Sequence, residues 1–177
     1  PSDRQLRIQS ITSLRAPERR READMFSFLR RIKGASRPRC TALVAAAGVS
    51  SRMEGVNKLL EPLEGVPVLV RTLTSLQLAE EVDEIVVAVR EEDLVEISRL
   101  CHTYGITKCA KVVRGGESRV HSVLLAAMEA SPEASLLAVQ DGARPLVTPE
   151  LIGHVVSAAA RCGAAAPAVA VKDTVKT

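Results

Sequence analysis

Aromatic side chains are nearly missing from this chain: 177 residues hold no Trp, one Tyr and two Phe. A core without aromatics has to be filled by Val, Leu, Ile and Ala, within a hydrophobic share of 46%. That composition suits a parallel sheet covered by helices better than an aromatic-rich sandwich. It also argues against a stacking platform for single-stranded nucleic acid, so no nucleic-acid partner is expected. No apolar run approaches the ~18 residues that would cross a membrane, and the first 24 residues are polar and charged, unlike a secretory signal. Cys40, Cys101, Cys109 and Cys162 form no Cys-x-x-Cys pair and have no His at ligand spacing. Free thiols in a reducing cytoplasm are therefore expected.

The net charge of +3 conceals an asymmetry: residues 1–39 carry 11 Lys/Arg against 4 Asp/Glu, and the remainder carries 13 against 17. The high isoelectric point thus belongs to a basic N-terminal extension, residues 1–39, and the expected domain, residues 40–177, is mildly acidic. The first 24 residues are expected to lie upstream of the fold, with Met25 as a native start. The following Phe26–Lys33 segment reads either as a disordered lead-in or as a short membrane-surface helix.

From residue 40 the pattern alternates. Apolar, β-branched runs predict strands at Thr41–Ala46, Glu84–Val89, Lys111–Val113, Leu136–Val139 and Ala165–Val171. Helical periodicity predicts Val68–Ala79, Asp93–Tyr104, Ser118–Ala130 and Pro149–Cys162. Thr148-Pro149 is a good helix start and Gly163 a good stop. Alternation at this spacing calls for right-handed crossovers and a doubly wound, mostly parallel α/β sheet with helices on both faces. Ligands of such sheets bind at the carboxyl ends of the strands.

Three segments sit at such ends. The first is Ala45-Ala46-Ala47-Gly48-Val49-Ser50-Ser51-Arg52-Met53, running on to Asn57-Lys58. Small residues let the backbone approach a ligand, its N–H groups can cradle phosphate oxygens, and Arg52 and Lys58 add two cations. The spacing is neither that of a P-loop nor of the dinucleotide fingerprint. Taken alone, the segment is also compatible with a small-residue turn bearing two solvated cations. The second segment, Gly115-Gly116-Glu117-Ser118-Arg119-Val120-His121-Ser122-Val123, opens a helix whose first turn offers unpaired N–H groups; a plain turn capped by Ser118 with Arg119 solvated would look the same. The third, Val139-Gln140-Asp141-Gly142-Ala143-Arg144-Pro145, offers a carboxylate that could meet Mg²⁺ or a hydroxyl, or could simply form a turn.

Taken together and in this order, the three segments resemble those of the 2-C-methyl-D-erythritol 4-phosphate cytidylyltransferase family, pyrophosphorylase-like nucleotidyltransferases with a Rossmann-like fold, over about Cys40 to Thr177. The resemblance implies transfer of CMP from CTP to 2-C-methyl-D-erythritol 4-phosphate, with release of pyrophosphate and Mg²⁺ as cofactor. It assigns catalysis to Arg52 and Lys58. It assigns nucleotide binding to Ala46, Ala47, Gly48, Gly116, Glu117 and Ser122. Asp141, Arg144 and Thr174 inherit the sugar-phosphate role, and Asp141 also the metal. Gly142 departs from the family's usual Asp-Ala-Ala-Arg-Pro, and His121 replaces a residue that is often acidic there. The family continues beyond the point reached by Thr177, with an arm that completes the partner's pocket. The resemblance therefore implies a homodimeric, cytoplasmic parent, and a chain of this length is expected to bind CTP weakly, turn over little and form no stable dimer. A ribitol-phosphate or other sugar-phosphate nucleotidyltransferase would share these motifs, and an inactive nucleotide-binding fragment is the reading from a different class.

Overall fold

Strand β1, Cys40–Ala46, is the centre of the main sheet, because its residues are small or aliphatic, apart from Thr41, and almost wholly buried. The computed structural model describes residues 37–48 and 57–169. After β1 come a short hairpin, β2 (Pro62–Leu63) and β3 (Val66–Pro67), and helix α1 (Val68–Leu78). Strand β4 (Glu84–Val89) leads through a 3-10 turn at Glu91–Asp93 into α2 (Leu94–Thr103). Then follow β5 (Cys109–Arg114), α3 (Arg119–Met128), β6 (Leu136–Asp141) and α4 (Pro149–Cys162). The predicted helices and the first four predicted strands are all present, with ends shifted by a few residues.

The main sheet runs β5-β4-β1-β6 and every pairing in it is parallel. The order reverses direction at β1/β6, where Ala45 stands opposite Asp141. That reversal opens a crevice at the carboxyl ends of the strands. Because successive strand side chains alternate in direction, Leu43, Val86 and Ala88 form one face with Ala126 of α3. Val44, Ile85 and Val87, of opposite parity, are equally buried. On α1, Leu69, Leu73 and Leu76 recur at helical spacing with 0–1% exposure. Each such leucine contributes roughly 1.5–3 kcal/mol by leaving water, so aliphatic side chains suffice where aromatics are scarce.

Two differences from the sequence reading have physical causes. The β2–β3 hairpin was not expected; its turn puts Glu64 at φ 51° and Gly65 at φ 78°, the two left-handed positions a tight hairpin needs, and the flanking runs are too short to show a period. The predicted strand Ala165–Val171 is not one over its described part: residues 165–169 are irregular and Val169 is 75% exposed. Apolar β-branched composition makes a strand only where a ladder partner takes up its hydrogen bonds; residues 170–171 lie outside the described residues.

Compactness divides the chain into one unit spanning residues 38–153 and another that holds residue 37 and, among the described residues, 154–169. The expected boundary at residue 40 differs from this division. Helix α4 starts as read, with Thr148 Oγ1 accepting from Leu151 N at 3.3 Å. It stops at Gly163, φ 89°, whose N–H reaches Ala159 O at 2.8 Å. All four cysteines are free thiols. No helix among the described residues is long and apolar enough to cross a membrane.

Candidate active site

Three strand ends build one cleft. The β1 end supplies Ala45, Ala46, Ala47 and Gly48; the turn before the hairpin supplies Lys58 and Leu59. The β5–α3 loop supplies Gly116, Glu117, Ser118, Arg119 and Ser122, and the β6 end supplies Asp141, Ala143 and Arg144. The space they line is about 470 Å³, room for a nucleotide-sized ligand. Every described residue that the sequence singled out is here: Ala46, Ala47, Gly48, Lys58, Gly116, Glu117, Ser122, Asp141 and Arg144. Arg52 and Thr174 lie outside the described residues.

The β5–α3 loop is held by its own hydrogen bonds. Gly115 N donates to Val89 O at 2.7 Å, tying the loop to the end of β4. Gly116 N donates to Ser122 Oγ at 3.1 Å, and that hydroxyl donates in turn to Ser118 O at 2.9 Å. Ser122 is only 2% exposed, so its hydroxyl is first of all the internal pin of the loop. Ser118 caps α3 by accepting from His121 N at 3.1 Å. A Cβ on Gly115 would overlap Ala47 Cβ and come within 3.0 Å of Ser122 Oγ. A Cβ on Gly116 would overlap the His121 ring. The two small-residue loops are thus packed against each other, and His121 braces the Gly116 loop, a role its position in the motif did not reveal.

The β6 end differs in kind. Asp141 Oδ1 accepts from Arg119 Nε at 2.7 Å and Oδ2 from Arg144 Nε at 2.8 Å. The Asp141 side chain is 28% exposed, while Arg119 is 58% and Arg144 73% exposed. Burial pushes the Asp141 pKa up, but the hydrogen bonds and charges of Arg119 and Arg144 together outweigh it and hold the carboxyl below its ordinary value. Its backbone is fixed as well. Gly142 N donates to Ala45 O at 2.9 Å, and Thr72 Oγ1, wholly buried on α1, donates to Gly142 O at 2.9 Å. The sequence assigns Arg119 no role, a solvated Arg119 being one of two readings of its segment, and does not single out Thr72. No motif points to Thr72, because its part comes from α1 crossing behind the β6 end.

The described residues offer a divalent cation two carboxylates in the cleft, Glu117 and Asp141, and both oxygens of Asp141 are engaged by arginine. No group of three or more His, Cys, Asp or Glu side chains among the described residues is placed to hold a metal. Such a donor set fits a divalent cation that arrives with a phosphate ligand, not one caged by protein. Three cations, small-residue walls and backbone amides at strand ends are suited to a polyphosphate ligand.

Residues 40–177 match the model of the family described as 2-C-methyl-D-erythritol 4-phosphate cytidylyltransferase, IspD. A protein of that description from Dehalococcoides mccartyi is 39% identical over 135 residues, covering 76% of this chain and 59% of its own length. A bifunctional enzyme IspD/IspF from Desulforudis audaxviator is 47% identical over 138 residues, covering 76% of this chain and 34% of its own length. The crystal structure of 4-diphosphocytidyl-2C-methyl-D-erythritol synthase from Anaerococcus prevotii is similar at a TM-score of 0.59 and 25% identity, over 70% of this chain and 52% of that one. The chain thus spans less than two-thirds of the length of these relatives.

Proposed function

The chain belongs to the 2-C-methyl-D-erythritol 4-phosphate cytidylyltransferase family, and from that premise we propose that it forms the nucleotide-handling part of an enzyme that moves CMP from CTP to 2-C-methyl-D-erythritol 4-phosphate. The observation that carries this reading is the meeting of three loops in one cleft with a tight small-residue end and a charged end. At the tight end, the packed Ala46–Gly48 and Gly115–Glu117 loops favour a small base. A purine would have to separate two loops in close contact, one of them hydrogen-bonded in place, and a misfit would leave polar groups unpaired.

At the charged end, Lys58 neutralises charge on the α-phosphoryl group and the leaving pyrophosphate, joined by Arg52. An acceptor phosphate oxygen attacks the α-phosphorus in line, and no covalent enzyme intermediate is needed. Arg144 and Asp141 orient the acceptor, the carboxylate toward its hydroxyls and the guanidinium toward its phosphate, with Thr174 assisting. Mg²⁺, when bound, would offset the negative charge of the phosphates. Asp141 is the side chain that would reach it, at the expense of one arginine contact. The same reading gives a homodimeric complete protein in the cytoplasm.

The test is calorimetric titration of CTP with Mg²⁺ beside UTP, GTP and ATP. Selective CTP binding that is lost on combined Arg52→Ala and Lys58→Ala substitution is the expected result. Equal binding of all four nucleotides, or binding that survives both substitutions, would refute the assignment.

A further inference from the structure

One buried carboxylate lies outside the cleft and has no part in the chemistry above. Asp93 closes the 3-10 turn after β4 and stands at the N-cap of α2, with its side chain 9% exposed. An aspartate at that position ordinarily accepts from the first N–H groups of its helix. This one makes no capping hydrogen bond. Its oxygens turn instead to Asn57 Nδ2, at 3.2 and 3.1 Å, and to Arg90 Nε at 2.8 Å.

Asn57 is fastened at both ends of its side chain. While the amide nitrogen donates to Asp93, Oδ1 accepts from Leu59 N at 3.2 Å, and the Asn57 carbonyl accepts from Leu60 N at 2.9 Å. The turn closed by these bonds carries Lys58 between its two fixed ends. Lys58 lines the cleft and has no hydrogen-bond or ion-pair partner among the described residues. A long ammonium side chain with no partner of its own is aimed only as well as its backbone is held. The same stretch of β4 end also receives Gly115 N through Val89 O. The brace that holds the base loop and the brace that holds the Lys58 turn are therefore five residues or fewer apart in sequence.

From this geometry we infer that Asp93 is a positioning residue for Lys58: through Asn57 it fixes the turn that presents the ammonium group to a nucleotide triphosphate, without touching the nucleotide. The inference rests on the nucleotide-binding reading of the cleft and adds to it a residue that lies outside the cleft.

The readout is the difference between CTP and CMP. Both should use the base end of the cleft and meet Lys58 at the α-phosphoryl group, but only CTP also brings it the two leaving phosphates, which carry most of the charge the ammonium group offsets. Asp93→Ala is expected to weaken CTP binding on the order of tenfold while leaving CMP binding within about twofold. Asn57→Ala removes the same link from the other side with the Arg90–Asp93 pair intact, and should reproduce that result even where Asp93→Ala folds poorly. In a Lys58→Ala background neither substitution should weaken CTP further, because the group being aimed is gone. Equal loss of CTP and CMP in the Asn57 variant, or full additivity with Lys58→Ala, would overturn the inference and leave Asp93 a fold-stabilising residue only. A wild-type chain that binds ATP as well as CTP would refute the functional reading. The positioning role would then be read from the triphosphate-to-monophosphate ratio of either nucleotide, where an unchanged ratio on Asn57→Ala overturns it.

Discussion

The two ends of the cleft are built on opposite principles. At the β5–α3 end, the groups that shape the site are satisfied by their neighbours: Gly115 N by Val89 O, Gly116 N by Ser122 Oγ, and that hydroxyl by Ser118 O. At the β6 end, the charged side chains satisfy one another directly at an exposed surface, Asp141 between Arg119 and Arg144. The first end can keep its shape when a ligand enters. The second has to exchange partners, because both oxygens of its one carboxylate are already taken. On the proposed reading, a rigid end that would hold the base and a charged end that would rearrange together suit a transfer reaction, in which the base stays in place and the phosphates change.

The largest expected effect lies where the charge is. Lys58→Ala in the complete protein should lower kcat on the order of 10²–10³-fold, by analogy with the loss of one preorganised donor to developing charge. Pyrophosphate release at saturating CTP measures it. A rise in KM at constant kcat would move Lys58 from stabilising the transition state to plain binding. Next comes the rigid end. Gly115→Ala would force a methyl group into Ala47 Cβ, a neighbour with no side-chain torsion to yield, so about 1–3 kcal/mol of stability should be lost. Ser122→Ala strands the Gly116 N–H and should cost a similar amount, about 1–3 kcal/mol. Chemical denaturation with and without CMP checks both. A neutral Gly115→Ala would mean that the loops are not packed as described.

The rigid end was the easier to read from the sequence. Strand, small-residue loop and helix succession follow from composition and period, and every described motif residue that was assigned a binding or catalytic role lines the cleft. What could not be read were contacts made by residues far apart in sequence and outside any motif. Thr72 pins Gly142 from 70 positions away, and Asp93 reaches Asn57 from 36 positions away. Nothing in its own segment gives Arg119 a partner; β6 brings Asp141 to it. The hairpin at Glu64-Gly65 escaped because two-residue strands carry no period, and Ala165–Val169 misled because β-propensity cannot show whether an edge is there to pair with.

The charged end should respond to pH only weakly. The Asp141 carboxyl is held below its ordinary pKa, so its ion pairs stabilise the folded state fully above about pH 4 and lose that contribution as pH falls through the lowered value. With both arginines largely exposed, the contribution should be under about 1 kcal/mol. Arg119→Ala should therefore raise the Asp141 pKa, measured by carboxyl carbon chemical shift, and barely change the melting temperature. A melting temperature that drops as far as with Ser122→Ala would erase the distinction between the two ends.

The smallest effect should come from repeating the glycine substitution at the other end. A Cβ on Gly142 would stand 3.0 Å from Leu69 Cδ1, 3.2 Å from Ala46 Cβ and 3.3 Å from Ala45 O. The nearest of these is the tip of a leucine that can turn by a few tenths of an ångström, and the Gly142 backbone does not need a left-handed φ. Against that crowding stands the unfolded-chain entropy that an alanine removes, about 0.4–1 kcal/mol in favour of the fold. The two nearly cancel, so Gly142→Ala should change stability by less than about 1 kcal/mol, where Gly115→Ala costs more than that. One added methyl group thus separates the two ends: what surrounds Gly115 has no freedom to move, and what surrounds Gly142 has enough. Equal losses from the two substitutions in the same denaturation series would show the charged end to be as tightly built as the rigid one, and its Asp141–arginine contacts to be structure, not a reserve for ligand.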